Sequence, residues 1–146
     1  MGTEGYVRAA LIFGGAVTAA IGIGHIFLPT AGYEPSVAQS LAAPVRDHFY
    51  YLGTYAICSF LLGFAALSFY FAGRVHNSAT AMVCAVSAFF WLARFGLELV
   101  FPVDLPIFFL ERPHAVLTAV TAVVTLCYLA AAFGAVRLQK ESGEER

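Results

Sequence analysis

Arg94 and Glu98 are the two full charges inside the apolar run Phe89-Phe90-Trp91-Leu92-Ala93-Arg94-Phe95-Gly96-Leu97-Glu98. Four residues apart, they share one face of a helix, separated by about 6 Å along its axis. Such a pair can form an ion pair or grip a polar group jointly. Three histidines stand at the ends of other apolar runs: His25 in Gly24-His25-Ile26-Phe27-Leu28-Pro29, His48 in Pro44-Val45-Arg46-Asp47-His48, and His114 in Arg112-Pro113-His114. Histidines and a carboxylate are the ligand types for Zn, Cu or Fe, and one histidine can hold haem. No His-x-x-x-His or Glu-x-x-His pair offers two ligands from one helix, so a metal on His48 and His114 requires ligands from separate helices.

The same groups suit the polar end of a small amphipathic molecule such as a quinone, a lipid or a hydrophobic metabolite. In that reading Arg94 and Glu98 orient the ligand and His25 donates or accepts a hydrogen bond. Phe89, Phe90, Trp91 and Phe95, with Tyr50 or Tyr51, supply apolar walls, the usual make-up of a pocket between bundle helices. Plainer readings exist for each: an interfacial histidine is commonly just solvated, aromatic residues at helical spacing commonly pack, and an Arg–Glu pair near a helix end can snorkel to headgroups.

The elements that must position these residues follow from composition. Of 146 residues, 60% are hydrophobic and 12% charged, and the mean hydropathy is +0.79. That is far from the quarter-charged profile of a soluble domain and points to a bilayer. The net charge is −1, with no long basic run, so nucleic acid is not an expected partner. Cys58, Cys84 and Cys127 fall in separate apolar runs without a Cys-x-x-Cys pair, which argues against paired-thiol redox chemistry and for small packing residues.

Hydropathy predicts an all-α, integral membrane four-helix bundle with spans at about 8–28, 47–73, 78–101 and 113–136 and a charged, fraying tail at 137–146. The first span carries Gly14, Thr18 and Gly22 at four-residue spacing, with Ala16, Ala20 and Gly24 beside them, a face suited to close helix packing. A cleaved leader is the rival reading of this run, opposed by Glu4 in what would be a positive region. Pro29 and Gly32 should stop this helix. Ser36-Val37-Ala38-Gln39 has a capping-box pattern that predicts a short helix in the linker. The brief bend Arg74-Val75-His76-Asn77 makes spans two and three antiparallel neighbours, and the Pro102/Pro106 loop is expected to lie on the membrane surface.

Arg8, Arg74, Arg137, Lys140 and Arg146 fall on the side of the termini, against Arg46 and Arg112 on the other, so the positive-inside rule puts both termini in the cytoplasm of a cell-membrane protein. Counted along their helices, His25 and Arg94 each lie about 24 Å into a core of about 30 Å, with Glu98 a turn higher and His48 and His114 at the outer mouths. A polar layer facing outward follows.

The Gly24-His25-Ile26-Phe27-Leu28-Pro29 ending, the arginine at Arg46, the Gly63-containing run, and Ala93-Arg94 before a proline-rich loop resemble the DoxX-like group of small bacterial proteins with four membrane helices. The resemblance implies interest in His25, Arg46 and Arg94 and an association, in a few relatives, with quinone-linked oxidoreductase complexes. His48 and His114 lie outside that pattern. Three functions stay open at this level: a pocket for a quinone-like or other hydrophobic ligand, a metal- or haem-dependent membrane oxidoreductase or isomerase, and a non-catalytic subunit of a homo-oligomer or larger membrane complex.

Overall fold

The computed structural model describes residues 2–144, so residues 145 and 146, which include one of the counted arginines, lie outside the described part. Secondary structure is helical throughout: α1 (Thr3–Phe27), α2 (Pro35–Ser40), α3 (Ala43–Val45), α4 (Gly53–Ala72), α5 (Ala79–Val100) and α6 (Pro113–Glu144). A π-helical turn, Leu28–Gly32, prolongs α1, and another, Arg46–Leu52, joins α3 to α4. Four resulting rods are long and apolar enough to cross a membrane.

Three boundaries differ from the sequence expectation. The first rod ends at Gly32, as expected, but Pro29 does not end it. It sits in the π turn, where a wider coil relieves the clash of the proline ring with the preceding turn. The second rod starts earlier than expected, at Ala43, with Pro44 in its first turn. The tail does not fray after Val136. Helix α6 continues to Glu144, because Leu138 is buried and Gln139 donates to the Asn77 and Ser78 carbonyls at 3.4 and 3.1 Å, fastening the tail to the α4–α5 bend. The linker helix anticipated around Ser36–Gln39 is present as α2.

Helix α1 is the centre of the packing. It lies against α4 on one side and α6 on the other, and α6 in turn carries α5. Small residues on α1 make the close approach possible. A Cβ on Gly15 would stand 3.0 Å from the Ser68 Cβ, one on Gly22 3.1 Å from the Leu61 Cβ, and one on Gly14 3.0 Å from the Tyr128 ring. Gly14, Thr18 and Gly22 are buried as their spacing predicts, whereas Ala16 and Ala20, placed on the same face by the sequence reading, are exposed.

Between these helices sits a polar knot. The Tyr128 hydroxyl lies 2.7 Å from Ser68 Oγ and 3.4 Å from Thr18 Oγ1, and all three residues are fully buried. Thr18 and Ser68 also donate to the carbonyls of Gly14 and Phe64, so the hydroxyls are satisfied within an apolar surround.

Helices α4 and α5, joined by the shortest connection, are neighbours that make little backbone contact. The tight face of α4 (Leu61, Ala65, Ser68) is taken by α1, and α5 lies on α6. What remains between α4 and α5 is bridged by large side chains, with the Phe64 and Phe90 rings 5.2 Å apart. The outward faces carry Phe60, Met82, Phe89, Leu126 and Phe133, all more than half exposed.

A Gly15→Leu substitution is expected to push α4 from α1 and destabilise the protein by about 2–3 kcal/mol, in the range of overpacking, and Tyr128→Phe by only about 1 kcal/mol, as for a hydrogen bond between membrane helices. Thermal unfolding in detergent checks both. An equal or reversed order would show that the α1–α4 approach is not the limiting contact.

Candidate functional site

Glu98 lies in the last turn of α5 and has no exposed surface. A buried carboxylate is tolerated when donors surround it, and three reach this one. Arg94 Nη2 donates to Oε2 at 2.6 Å, the Val103 backbone N–H donates to Oε1 at 3.1 Å, and His114 Nδ1 stands 2.9 Å from Oε1. Since the carboxylate only accepts, the hydrogen of this last contact belongs to His114 Nδ1, leaving Nε2 as the ring's open nitrogen. Helix geometry explains the first contact, as positions 94 and 98 are one turn apart. Pro113 in the first turn of α6 sets the helix start that holds His114 against Glu98.

One guanidinium N–H group of Arg94 is used by Glu98, and the rest of the fork makes no hydrogen bond among the described residues. The side chain is about one-third exposed, at 34%. It faces a cavity of about 490 Å³ between α1, α5 and α6, lined mainly by aliphatic side chains, with His25, Tyr33, Trp91, Arg94 and Thr121 as its polar-bearing members. His25 Nδ1 donates to the Ile21 carbonyl at 2.8 Å, because a carbonyl only accepts, and so Nε2 of His25 is an acceptor in its neutral form. Trp91 is 2% exposed, and its indole N–H has no partner. Burial of an unpaired donor is costly, and this one belongs to a cavity wall.

The roof of the cavity is the chain between α5 and α6. Val103, Ile107, Phe108 and Leu110 close it, with Tyr33 from the α1–α2 connection. Phe108 has φ 52°, a left-handed conformation uncommon for a bulky residue. It is held there by its N–H, which donates to the Gly32 carbonyl at 2.7 Å, and by the Ile107–Leu110 turn. Gly32 is closely surrounded here, since a Cβ would stand 2.7 Å from Leu28 Cδ1, a side-chain end that can turn aside, and 3.1 Å from the Phe108 ring. The loop between α5 and α6 thus folds across the bundle end, with Phe109 90% exposed. Burial raises the Tyr33 phenol above the ordinary tyrosine value, and the nearby Arg94 guanidinium pulls it the other way.

A second cavity, of about 270 Å³, lies on the α4 side, between α1, α4 and α5. Ile21, His25, Trp91 and Arg94 line both cavities and form the partition between them.

Of the residues singled out in the sequence, His25, Trp91 and Arg94 come together at this partition. Glu98 stands behind Arg94 and His114 joins through Glu98, so the pair is not a snorkelling surface pair. Phe89 faces outward at 73% exposure, and Phe90 lines the second cavity. Tyr51 does not wall the main cavity. It lies with Tyr50 and Arg46 in a shallow pocket on the outer surface that shares Tyr33 with the main cavity. His48 is exposed in the π-helical segment. Among the described residues no group of three or more His, Cys, Asp or Glu converges as a metal site. Tyr33, the Val103 N–H and the inward fold of the roof were not anticipated. Tyr33 could have been suspected from its place four residues after Pro29, but a backbone donor such as Val103 leaves no mark in a sequence.

Comparison with protein-family models, curated proteins and solved structures gives no match.

Glu98→Ala is expected to leave three donors without their acceptor and to cost about 2–3 kcal/mol, below the usual figure for a broken buried pair because Arg94 can hydrate. Thermal unfolding measures the loss, and amide hydrogen exchange at Val103 should accelerate with it. Unchanged exchange at Val103 would mean that the roof is held without Glu98.

Proposed function

We propose that the protein is a multi-pass protein of the cytoplasmic membrane, with both termini inside, that holds a small hydrophobic, polar-headed ligand of quinone-like chemistry in the cavity beneath the Val103–Leu110 roof. Four apolar rods with exposed Phe60, Met82, Phe89 and Phe133 support the membrane setting. Arg8, Arg74, Arg137 and Lys140 at one end, against Arg46 and Arg112 at the other, support the orientation. The cavity is then near the outer face.

The observation that carries the reading is the Arg94 fork, with N–H groups left unused by Glu98, on the same wall as His25 with its open Nε2 and the ring of Trp91. A donor and an acceptor thus border an otherwise apolar space of a size that holds a small ligand. A carbonyl oxygen of the ligand takes a hydrogen bond from Arg94, and a hydroxyl, as in the reduced form of a quinone, donates to His25. Arg94 is already balanced by Glu98, so the polar end suits an uncharged head. The DoxX-like layout belongs to the same reading: of its three positions, His25 and Arg94 line the cavity and Arg46 lines the shallow pocket that shares Tyr33.

Trp91 is the single tryptophan of the chain, so its emission reports on this wall alone. A dimethoxy-methyl-benzoquinone added to purified protein is expected to quench it saturably. Arg94→Lys, which keeps a cation beside Glu98 but loses the fork, should weaken binding about tenfold, and His25→Ala about threefold or more, as for lost charged and neutral hydrogen bonds. Saturable quenching that is equal in wild type and both variants would remove this reading.

A further inference from the structure

The main cavity has two ends of opposite character. At the end nearer the roof stand Arg94, His25 and Tyr33. At the other end it reaches Val17 on α1 and Val120 on α6. Those two residues also line a separate groove of about 190 Å³ between α1 and α6, completed by Phe13, Ala119, Val123 and Val124, with no polar side chain among its lining residues. Cavity and groove therefore adjoin at Val17 and Val120, with only these two valine side chains as shared wall. The distance from His25 to Phe13 along α1 is about 18 Å at the helical rise.

We propose that the ligand of this site carries a linear hydrocarbon tail, which leaves the cavity through the α1–α6 seam and lies in the groove between Phe13 and Val123. The inference rests on the pocket reading above and adds the ligand's shape: a compact polar head with a single flexible chain. The second cavity is not an alternative tail site, because it meets the first only across the His25–Trp91–Arg94 partition, at the head end. A tail placed there would have to cross the polar groups that hold the head. The groove lies beside the exposed Phe13, Ala119 and Val123, so a chain longer than the groove continues along apolar surface. Since lipid tails are as apolar as the groove, the tail adds direction more than affinity, and a ligand diffusing within the bilayer can leave and return along this seam.

The test compares two probes on the same protein: the dimethoxy-methyl-benzoquinone and its homologue bearing a decyl chain, each read by Trp91 quenching at equal mole fraction in detergent micelles. Ala119→Phe fills the groove from an exposed position and leaves the partition untouched. Val123→Phe does the same one turn further on. Both variants should weaken the decyl compound about tenfold, the scale of a steric clash in a filled site, and leave the short compound unchanged. Ala93→Phe, which fills the second cavity, should change neither. If the groove variants bind the decyl compound as wild type does, or if Ala93→Phe is the one that excludes it, the tail route is wrong while the pocket stands. Equal weakening of both probes also overturns it, since the groove would then not be separable from the head site. Absence of saturable quenching by either probe in wild type would overturn the pocket reading itself, and the tail proposal with it.

Discussion

An ionised carboxylate away from water is held only by the donors turned toward it, and Glu98 draws its donors from three places: Arg94 in its own helix, the Val103 amide in the roof and His114 at the start of α6. The roofed end of the molecule depends on this one acceptor. It fixes where the roof begins, how α6 starts relative to the end of α5, and in which direction the Arg94 side chain points. Arginine suits the place because its planar fork can bond the carboxylate with one N–H and still present others to the cavity, which a lysine ammonium does less well.

The cavity itself comes from a change in packing along α1. At Gly14, Gly15 and Gly22 a single added carbon would meet a neighbouring helix at 3.0 to 3.1 Å, whereas at Gly24 nothing lies within 4 Å. The helices are therefore pressed together through the Thr18–Ser68–Tyr128 knot, whereas Gly24 borders the cavity, where α1 has no such neighbour. The cavity is covered by Phe108 and its neighbours, anchored by the hydrogen bond from the Phe108 N–H to the Gly32 carbonyl. The left-handed Phe108 is strained locally and is held by its surroundings, as is common where a segment covers a site.

Four helices and their approximate limits are visible in the hydropathy of the chain because length and apolarity are additive properties of local sequence. The shared depth of His25 and Arg94 is visible for a similar reason: it needs only the helical rise and the position of each run. What sequence could not convey is rotation and partner choice. Spans two and three, joined by the shortest bend, are the expected neighbours, yet each packs most closely against a different helix, because Ser68 and Leu61 fit the glycines of α1 better than anything α5 offers. The same limit explains Tyr51. Its distance along the chain fits the polar layer, but its position around the helix axis carries it to the shallow outer pocket, while Tyr33, in a segment without a strong pattern, closes the main one. The helical tail was missed because its charges read as solvation, whereas Leu138 and Gln139 tie it to the bend.

The polar end of the cavity has a particular electrical character that follows from these placements. Arg94 and Glu98 in contact carry no net charge together, and His25 donates through Nδ1 to the Ile21 carbonyl. A head with a full positive charge would meet the Arg94 fork directly, and one with a full negative charge would find that fork already balanced by Glu98. In the proposed reading, the balanced pair and the apolar walls leading away from it suit a neutral carbonyl or hydroxyl head on a hydrocarbon body.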